Sequence, residues 1–275
     1  MIVRFRCTTA ACVTLAAAAF WAPQASATSI GLEGPAPRIG SPGQILVSAY
    51  RSEKSHVLNV AYKPRGDAYV VTDSRPFGRI DTRCERLAKR KVRCPDPAPS
   101  GDADVAMGGG NAGDRLRVDD TVRGFIDLSG DQGRDLLRVA SGAAGFNSIF
   151  AGPGRDRILA AGRGGTLWGG SGRDEIFGGR GHETVFDGRG SDLVRTGKGD
   201  DITYVDEVFS SRDRPSSTRN RIYLGPGIDQ ISARNGHKDG VLSCGGGDDD
   251  EAILDAGDRR PRSCEIIQRG RRGSA

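Results

Sequence analysis

Residues 142–204 divide without insertion into seven nine-residue frames: GAAGFNSIF, AGPGRDRIL, AAGRGGTLW, GGSGRDEIF, GGRGHETVF, DGRGSDLVR and TGKGDDITY. The eighth position of the frame is apolar or threonine throughout, running Ile149, Ile158, Leu167, Ile176, Val185, Val194, Thr203. Two residues earlier stand Asn147, Asp156, Gly165, Asp174, Glu183, Asp192 and Asp201. Glycines recur two and four residues before that polar column, as in Gly152 with Gly154, Gly170 with Gly172, and Gly188 with Gly190. A nine-residue unit is too short for a repeat containing a helix and long enough for a glycine turn plus a three-residue strand. The chain must therefore wind as a coil of short parallel strands. The fold class this predicts is all-β: a parallel β-roll or another narrow β-solenoid. With successive strands on opposite edges, residues two frames apart stack at the strand spacing of about 4.8 Å. Asp156, Asp174 and Asp192 then form one ladder, and Glu183 with Asp201 belongs to the other.

Two carboxylates stacked about 5 Å apart repel by roughly 3 kcal/mol at an effective dielectric of 20, so such a ladder needs a compensating charge. One candidate is a divalent cation. Ca²⁺ takes about six to eight oxygens, and glycine turns expose backbone carbonyls beside each carboxylate. The other candidate is arginine from the same turns. Residues 142–204 carry eight acids and eight bases, so the block is formally neutral, and Arg180, Arg189 and Lys198 lie in turns where a bound cation would feel them.

Gly169-Gly170-Ser171-Gly172-Arg173-Asp174-Glu175-Ile176-Phe177 fits Gly-Gly-x-Gly-x-Asp-x-apolar-x at every specified position, and the next frame fits with Glu183 in place of Asp. In this the chain resembles the repeats-in-toxin, or hemolysin-type, calcium-binding repeat proteins. The resemblance covers residues 109–204 and continues patchily to 253. It implies a parallel β-roll in which each Ca²⁺ is held between Asp-bearing turns two repeats apart. The implied ligand pairs are Asp156 with Asp174, Asp174 with Asp192, and Glu183 with Asp201, joined by turn carbonyls near Gly152, Gly154, Gly170, Gly172, Gly188 and Gly190. The flanks, Cys84 to Cys94 followed by Asp104-Val105-Ala106-Met107 and Cys244-Gly245-Gly246-Gly247 through Cys264-Glu265, look like secreted bacterial members of the group.

Outside the block, Arg4 and Arg6 precede an Ala-rich apolar stretch ending at Ala25-Ser26-Ala27, the pattern of a secretory signal peptide over residues 1–27. Its removal takes two arginines and no acids, so the formal charge of +5 falls to +3, a balance that demands no acidic partner. Thirty-four of the 40 basic residues are arginine. No later apolar run approaches the roughly 20 residues of a membrane span, so a secreted, extracellular product without a transmembrane segment is expected. Four cysteines remain, and an even count in an exported chain suggests disulfides, paired by proximity as Cys84 with Cys94 and Cys244 with Cys264. Residues 28–105 read as a lead-in and a small β-rich cap, with order beginning near Ile45 and a hairpin of residues 56–62 and 68–72. Residues 106–204 are the repeat block. Residues 205–275 read as an excursion loop, degenerate frames at Asp229, Asp239 and Asp249, and a C-terminal cap.

The residue after the apolar column is also apolar in most frames: Phe150, Leu159, Trp168, Phe177, Phe186, then Arg195 and Tyr204. Strand alternation points this column outward, stacking Phe150, Trp168, Phe186 and Tyr204 on one face. Either the cap or residues 205–223 cover the stripe, or it offers an aromatic platform to an extracellular glycan or protein. The sequence contains no Gly-x-Ser-x-Gly elbow, no Walker loop and no His-Glu-x-x-His. Its three histidines, His56, His182 and His237, lie far apart. A non-catalytic protein is expected, and the arginines at 259–262 and 269–272 read as a solvated tail, with no nucleic-acid partner. Calcium binding is the leading expectation, and a metal-independent surface or adhesion module is the alternative.

Overall fold

The computed structural model describes residues 28–33, 43–49, 52–98, 102–206, 219–236 and 238–270. The signal peptide expected at 1–27, most of the excursion loop, His237 and the final residues 271–275 lie outside them. Among the described residues the regular structure is nearly all strand, joined by turns and loops, with one 3₁₀ turn at Pro64–Gly66.

The strands build two sheets that the chain visits alternately, and this alternation is the coil. The longer sheet stacks Gln44–Ser48, Asp104–Gly110, Ile126–Asp131, Asn147–Gly154, Gly164–Gly172, His182–Phe186, Ile202–Tyr204, Gln230–Ala233, Glu251–Leu254 and Ile266–Arg269, each parallel to the next. The shorter sheet stacks Val57–Lys63, Arg115–Val118, Leu136–Val139, Arg157–Ala160, Glu175–Phe177, Leu193–Arg195, Arg221–Pro226 and Val241–Gly246. Residues 18 apart face each other across rungs of the block, for example Ile149 with Leu167 and Ile158 with Ile176. The parallel β-solenoid expected from the frame is therefore the fold.

Two columns of inward side chains run along its core. Val47, Met107, Leu128, Ile149, Leu167, Val185, Thr203 and Ile231 stack in register from the longer sheet, and Leu58, Leu116, Leu137, Ile158, Ile176, Val194, Ile222 and Leu242 from the shorter one, all buried. Rungs outside the block keep this register although they are longer: 21 residues separate Asp114 from Asp135, and 28 separate Asp192 from Asn220. Only the strands must align, so the extra residues are absorbed in turns and loops.

The N-terminal region departs from expectation in one respect. Order does not begin near Ile45: Thr28–Glu33 is already a strand, antiparallel to Gln44–Ser48 and parallel to Phe77–Ile80. The hairpin is present as Val57–Lys63 with Ala68–Thr72, and its first strand is also a rung of the solenoid. Lys91–Pro95 and Glu85–Ala88 extend it antiparallel, so the open end of the shorter sheet is closed by strands of reversed direction. The Cys84–Cys94 and Cys244–Cys264 disulfides are both formed, with Cα atoms 4.2 and 5.2 Å apart.

Two C-terminal frame assignments shift by one residue. Leu242, not Val241, continues the core column, so Gly240 and not Asp239 takes the polar position. Asp250, not the exposed Asp249, occupies the next one.

Candidate functional site

The residue two positions before a core residue shares its face of the strand, so the polar column points inward. Asp114, Asp135, Asp156, Asp174 and Asp192 are all buried on one edge of the coil, and Glu183, Asp201, Asp229 and Asp250 on the other. Each rung is tied to the next through them. The backbone N–H of Asp156 donates to Asp174 Oδ1 at 2.7 Å, and that of Asp174 to Asp192 Oδ1 at 2.7 Å. The ladder reaches down through Asp135, Asp114 and the His56 N–H, and up to Asn220, whose Oδ1 accepts from Asp192 at 2.8 Å. On the second edge Glu183 N–H donates to Asp201, Asp201 to Asp229, and Asp229 to Asp250, each at 2.8 Å.

The ladders expected from the frame are thus present, and they run further than the frame at both ends. Among the described residues no arginine forms an ion pair with a ladder carboxylate, although the Arg173 charge acts to lower Asp192; one oxygen of each ladder aspartate accepts a backbone N–H instead. The other oxygen of Asp135, Asp156, Asp174, Asp192 and Asp201 is buried without a hydrogen-bond partner, as are both carboxylate oxygens of Glu183. The first glycine of the frame makes room for it: a Cβ at Gly130, Gly169 or Gly178 would lie 2.8, 3.2 or 2.8 Å from the second oxygen of Asp135, Asp174 or Glu183.

Such groups resist ionisation. Burial first, then the neighbouring carboxylates, push Asp135 and Asp174 up to about 8; burial and Asp201 push Glu183 up to about 8. Burial raises Asp192 to about 7 and Asp156 to about 6, against the N–H bond that each accepts. Asp187 replaces the frame's first glycine and is wholly buried beside this edge. Burial and the charges of Asp192 and Asp206 raise it well above the carboxylate range, although it accepts from Asp206 N–H at 2.7 Å and Asn220 Nδ2 at 3.0 Å.

The second oxygens are the groups a hard cation would take, and the carbonyl oxygens of Gly152 and Gly154 lie where a Cβ on Gly170 or Gly172 of the next rung would meet them, at 2.2 and 1.5 Å. Carboxylate and carbonyl oxygens are the donor set Ca²⁺ prefers. The donors come as two carboxylates per gap between rungs; among the described residues no three His, Cys, Asp or Glu side chains converge. Asn147 and Gly165 interrupt the second edge: Asn147 is buried with neither amide atom hydrogen-bonded, and a Cβ on Gly165 would strike its backbone.

A second constellation had no signal in the sequence spacing. His56 Nδ1 lies 2.8 Å from Asp73 Oδ2, and His56 Nε2 lies 2.9 Å from Ser52 Oγ, with Thr28 Oγ1 also bonded to Asp73. Burial would raise Asp73, but the bonds from His56 and Thr28 hold it below its usual value. The order Ser, His, Asp is that of a hydrolase triad, yet Ser52 is only 2% exposed, donates to the Lys54 carbonyl and accepts its N–H. These contacts pin the first rung to the N-terminal strand.

The outward aromatic column stacks as its spacing predicts. Ring centroids of Phe150 and Trp168, Trp168 and Phe186, and Phe186 and Tyr204 are 3.9, 5.7 and 4.9 Å apart, with planes within 9° of parallel. Phe150 is 41% exposed and the other three are half-buried, so the cap does not cover the stripe. The rings lie face to face against one another and turn their edges outward.

No family model matches the chain, and neither the curated proteins nor the solved structures gave a match.

Proposed function

We propose that the chain is an exported, non-catalytic calcium-binding β-solenoid of the repeats-in-toxin type, in which Ca²⁺ held between stacked turns neutralises the carboxylate ladders and stabilises the coil. The observation that carries this reading is the row of buried, unpartnered oxygens on Asp135, Asp156, Asp174 and Asp192. A folded chain that leaves four carboxylate oxygens dry on one edge gains when a cation supplies the missing partner. Asp156, Asp174 and Asp192 would hold the ion on the first edge, with Glu183 and Asp201 on the second. Calcium supplies charge neutralisation and oxygen coordination. The chain's own residues supply the rest: N–H groups orient each carboxylate, and the frame glycines clear the space beside it. The two disulfides and the absence, among the described residues, of any helix long and apolar enough to cross a membrane agree with export.

Binding to the folded state alone adds RT ln(1 + [L]/Kd), about 2.7 kcal/mol at a hundredfold excess over Kd. Thermal unfolding of residues 28–275 at pH 8 should therefore show a midpoint several degrees higher in millimolar calcium than in chelator. Identical midpoints would sink the reading.

A further inference from the structure

The two outer faces of the solenoid carry different charge. On the shorter sheet the outward positions hold six exposed arginines: Arg115, Arg117, Arg138, Arg157, Arg195 and Arg221. Glu175 is the acid among them, 3.6 Å from Arg157; among the described residues the other five have no carboxylate partner. On the longer sheet Arg79 and Arg269 are exposed in its end strands Phe77–Ile80 and Ile266–Arg269, and Arg189 is half-buried in the short strand Arg189–Gly190; the outward positions of the other strands between them hold Asp104, Asp127 and Glu251 and no lysine or arginine. Arginine placed only for solubility would be spread over both faces. Here, along the middle rungs, it is concentrated on one, in a chain whose formal charge is only +5.

The face is built on a fixed repeat of parallel strands. Arg115 and Arg117 share one rung and Arg138 lies on the next, about 4.8 Å along the axis. Half-buried Leu159 and Leu193 lie between the arginine-bearing positions. A guanidinium offers a rigid fork that matches a carboxylate, and here the forks recur in two columns at intervals of one to three rungs, Arg117, Arg138 and Arg195 in one and Arg115, Arg157 and Arg221 in the other. A linear polymer of uronic acids presents one carboxylate per sugar at a repeat comparable with the rung spacing, and its C–H faces can rest on leucine.

Nucleic acid fits less well. Unstacked bases need free aromatic faces, but the Arg157 guanidinium lies 5.3 Å over the Phe177 ring and that of Arg195 lies 5.5 Å over Tyr223. A duplex groove needs an element that enters it, and this face is a plane of strands. We propose that the outer face of the shorter sheet binds a linear acidic polysaccharide, its uronate carboxylates paired with the arginine columns.

The test is binding of the full chain to polygalacturonate at low ionic strength, in chelator so that no calcium bridge contributes. Methyl-esterified polygalacturonate and duplex DNA serve as comparison ligands. Binding should fall at least about tenfold on esterification, and by a similar factor in Arg117→Gln/Arg138→Gln with an unchanged melting midpoint. Arg155→Gln/Arg163→Gln, exposed turn positions off the face, should bind as the parent does. No binding to polygalacturonate, equal binding by the Arg117→Gln/Arg138→Gln variant, or duplex DNA binding as tightly with the same dependence on Arg117 and Arg138 would each overturn the proposal. Because calcium is absent throughout, failure of the calcium reading leaves this result unaffected.

Discussion

At the scale of single residues, Asp174 shows what a buried carboxylate does to this fold. Its Oδ1 accepts the Asp156 N–H and its Oδ2 has no partner, so ionisation leaves a dry charge in the wall of the coil. Asn220 shows that asparagine can fill such a position, since its Oδ1 receives the same bond from Asp192. Asp174→Asn should therefore raise the stability of the calcium-free protein at pH 9 by roughly 1–3 kcal/mol, the scale of an unsatisfied buried group. The same substitution should shrink the calcium-dependent shift in midpoint. A variant destabilised equally at pH 4 and pH 9 would show that ionisation of this site does not matter. Glycines separate in a parallel way. Gly172 has φ +143° and a Cβ there would lie 1.5 Å from the Gly154 carbonyl oxygen, whereas Gly236 has φ +82° and open space. By denaturant titration, Gly172→Ala should cost more than about 2 kcal/mol and Gly236→Ala about 1–2 kcal/mol, the backbone penalty alone. The inward direction of the carboxylates was legible from parity, since Asp174 precedes core Ile176 by two. The N–H bond to each aspartate was not legible, because charge repulsion points to a cation or an arginine and the backbone N–H of the neighbouring rung leaves no mark on the spacing. The Ser52–His56–Asp73 cluster was not legible, because a hairpin and a loop bring it together and no periodicity marks either.

At the scale of elements, the frame specified the strands where it was strict and lost its hold where turns varied. The 18-residue register of residues 142–204 could be read directly, and Leu116 to Leu137 to Ile158 keeps the same column at longer intervals. Strand Thr28–Glu33 could not be read, because it is an added edge whose partners, Gln44–Ser48 and Phe77–Ile80, are defined only by tertiary pairing. Outward columns divide the labour of the two sheets. The longer sheet carries a ladder of four stacked rings, and a ring that stacks on both faces cannot also lie flat against a sugar. Trp168 makes two such contacts, each adding about 0.5–1.5 kcal/mol beyond its buried area. Trp168→Ala should lower stability by about 1–3 kcal/mol in thermal or denaturant unfolding and leave the calcium shift intact. Loss of a neutral-glycan interaction in that variant, with stability unchanged, would instead restore the aromatic stripe as a platform.

At the scale of the whole molecule, the ladders make stability depend on pH with an unusual sign. In the unfolded chain these carboxylates ionise near pH 4. In the folded chain Asp156 and Asp229 stay protonated to about 6, Asp192 to about 7, and Asp135, Asp174 and Glu183 to about 8. Between those limits the folded state holds more protons than the unfolded one. Its stability is then greatest at or below pH 4 and declines as pH rises through 6 to 8. Neighbouring rungs raise one another, so the decline belongs to each ladder as a unit and should be spread over several pH units. Calcium reverses the sign of the argument. The ion takes only ionised carboxylates, so protons and calcium compete for the same oxygens, and the stabilisation by calcium should grow over the same range in which the metal-free protein weakens. Melting midpoints measured from pH 4 to 9 in chelator should fall steadily, whereas in millimolar calcium the curve should flatten or rise. If the two curves run parallel, no cation enters the ladders; if the chelator curve rises with pH, the buried carboxylates are ionised in the folded chain and find their partners elsewhere.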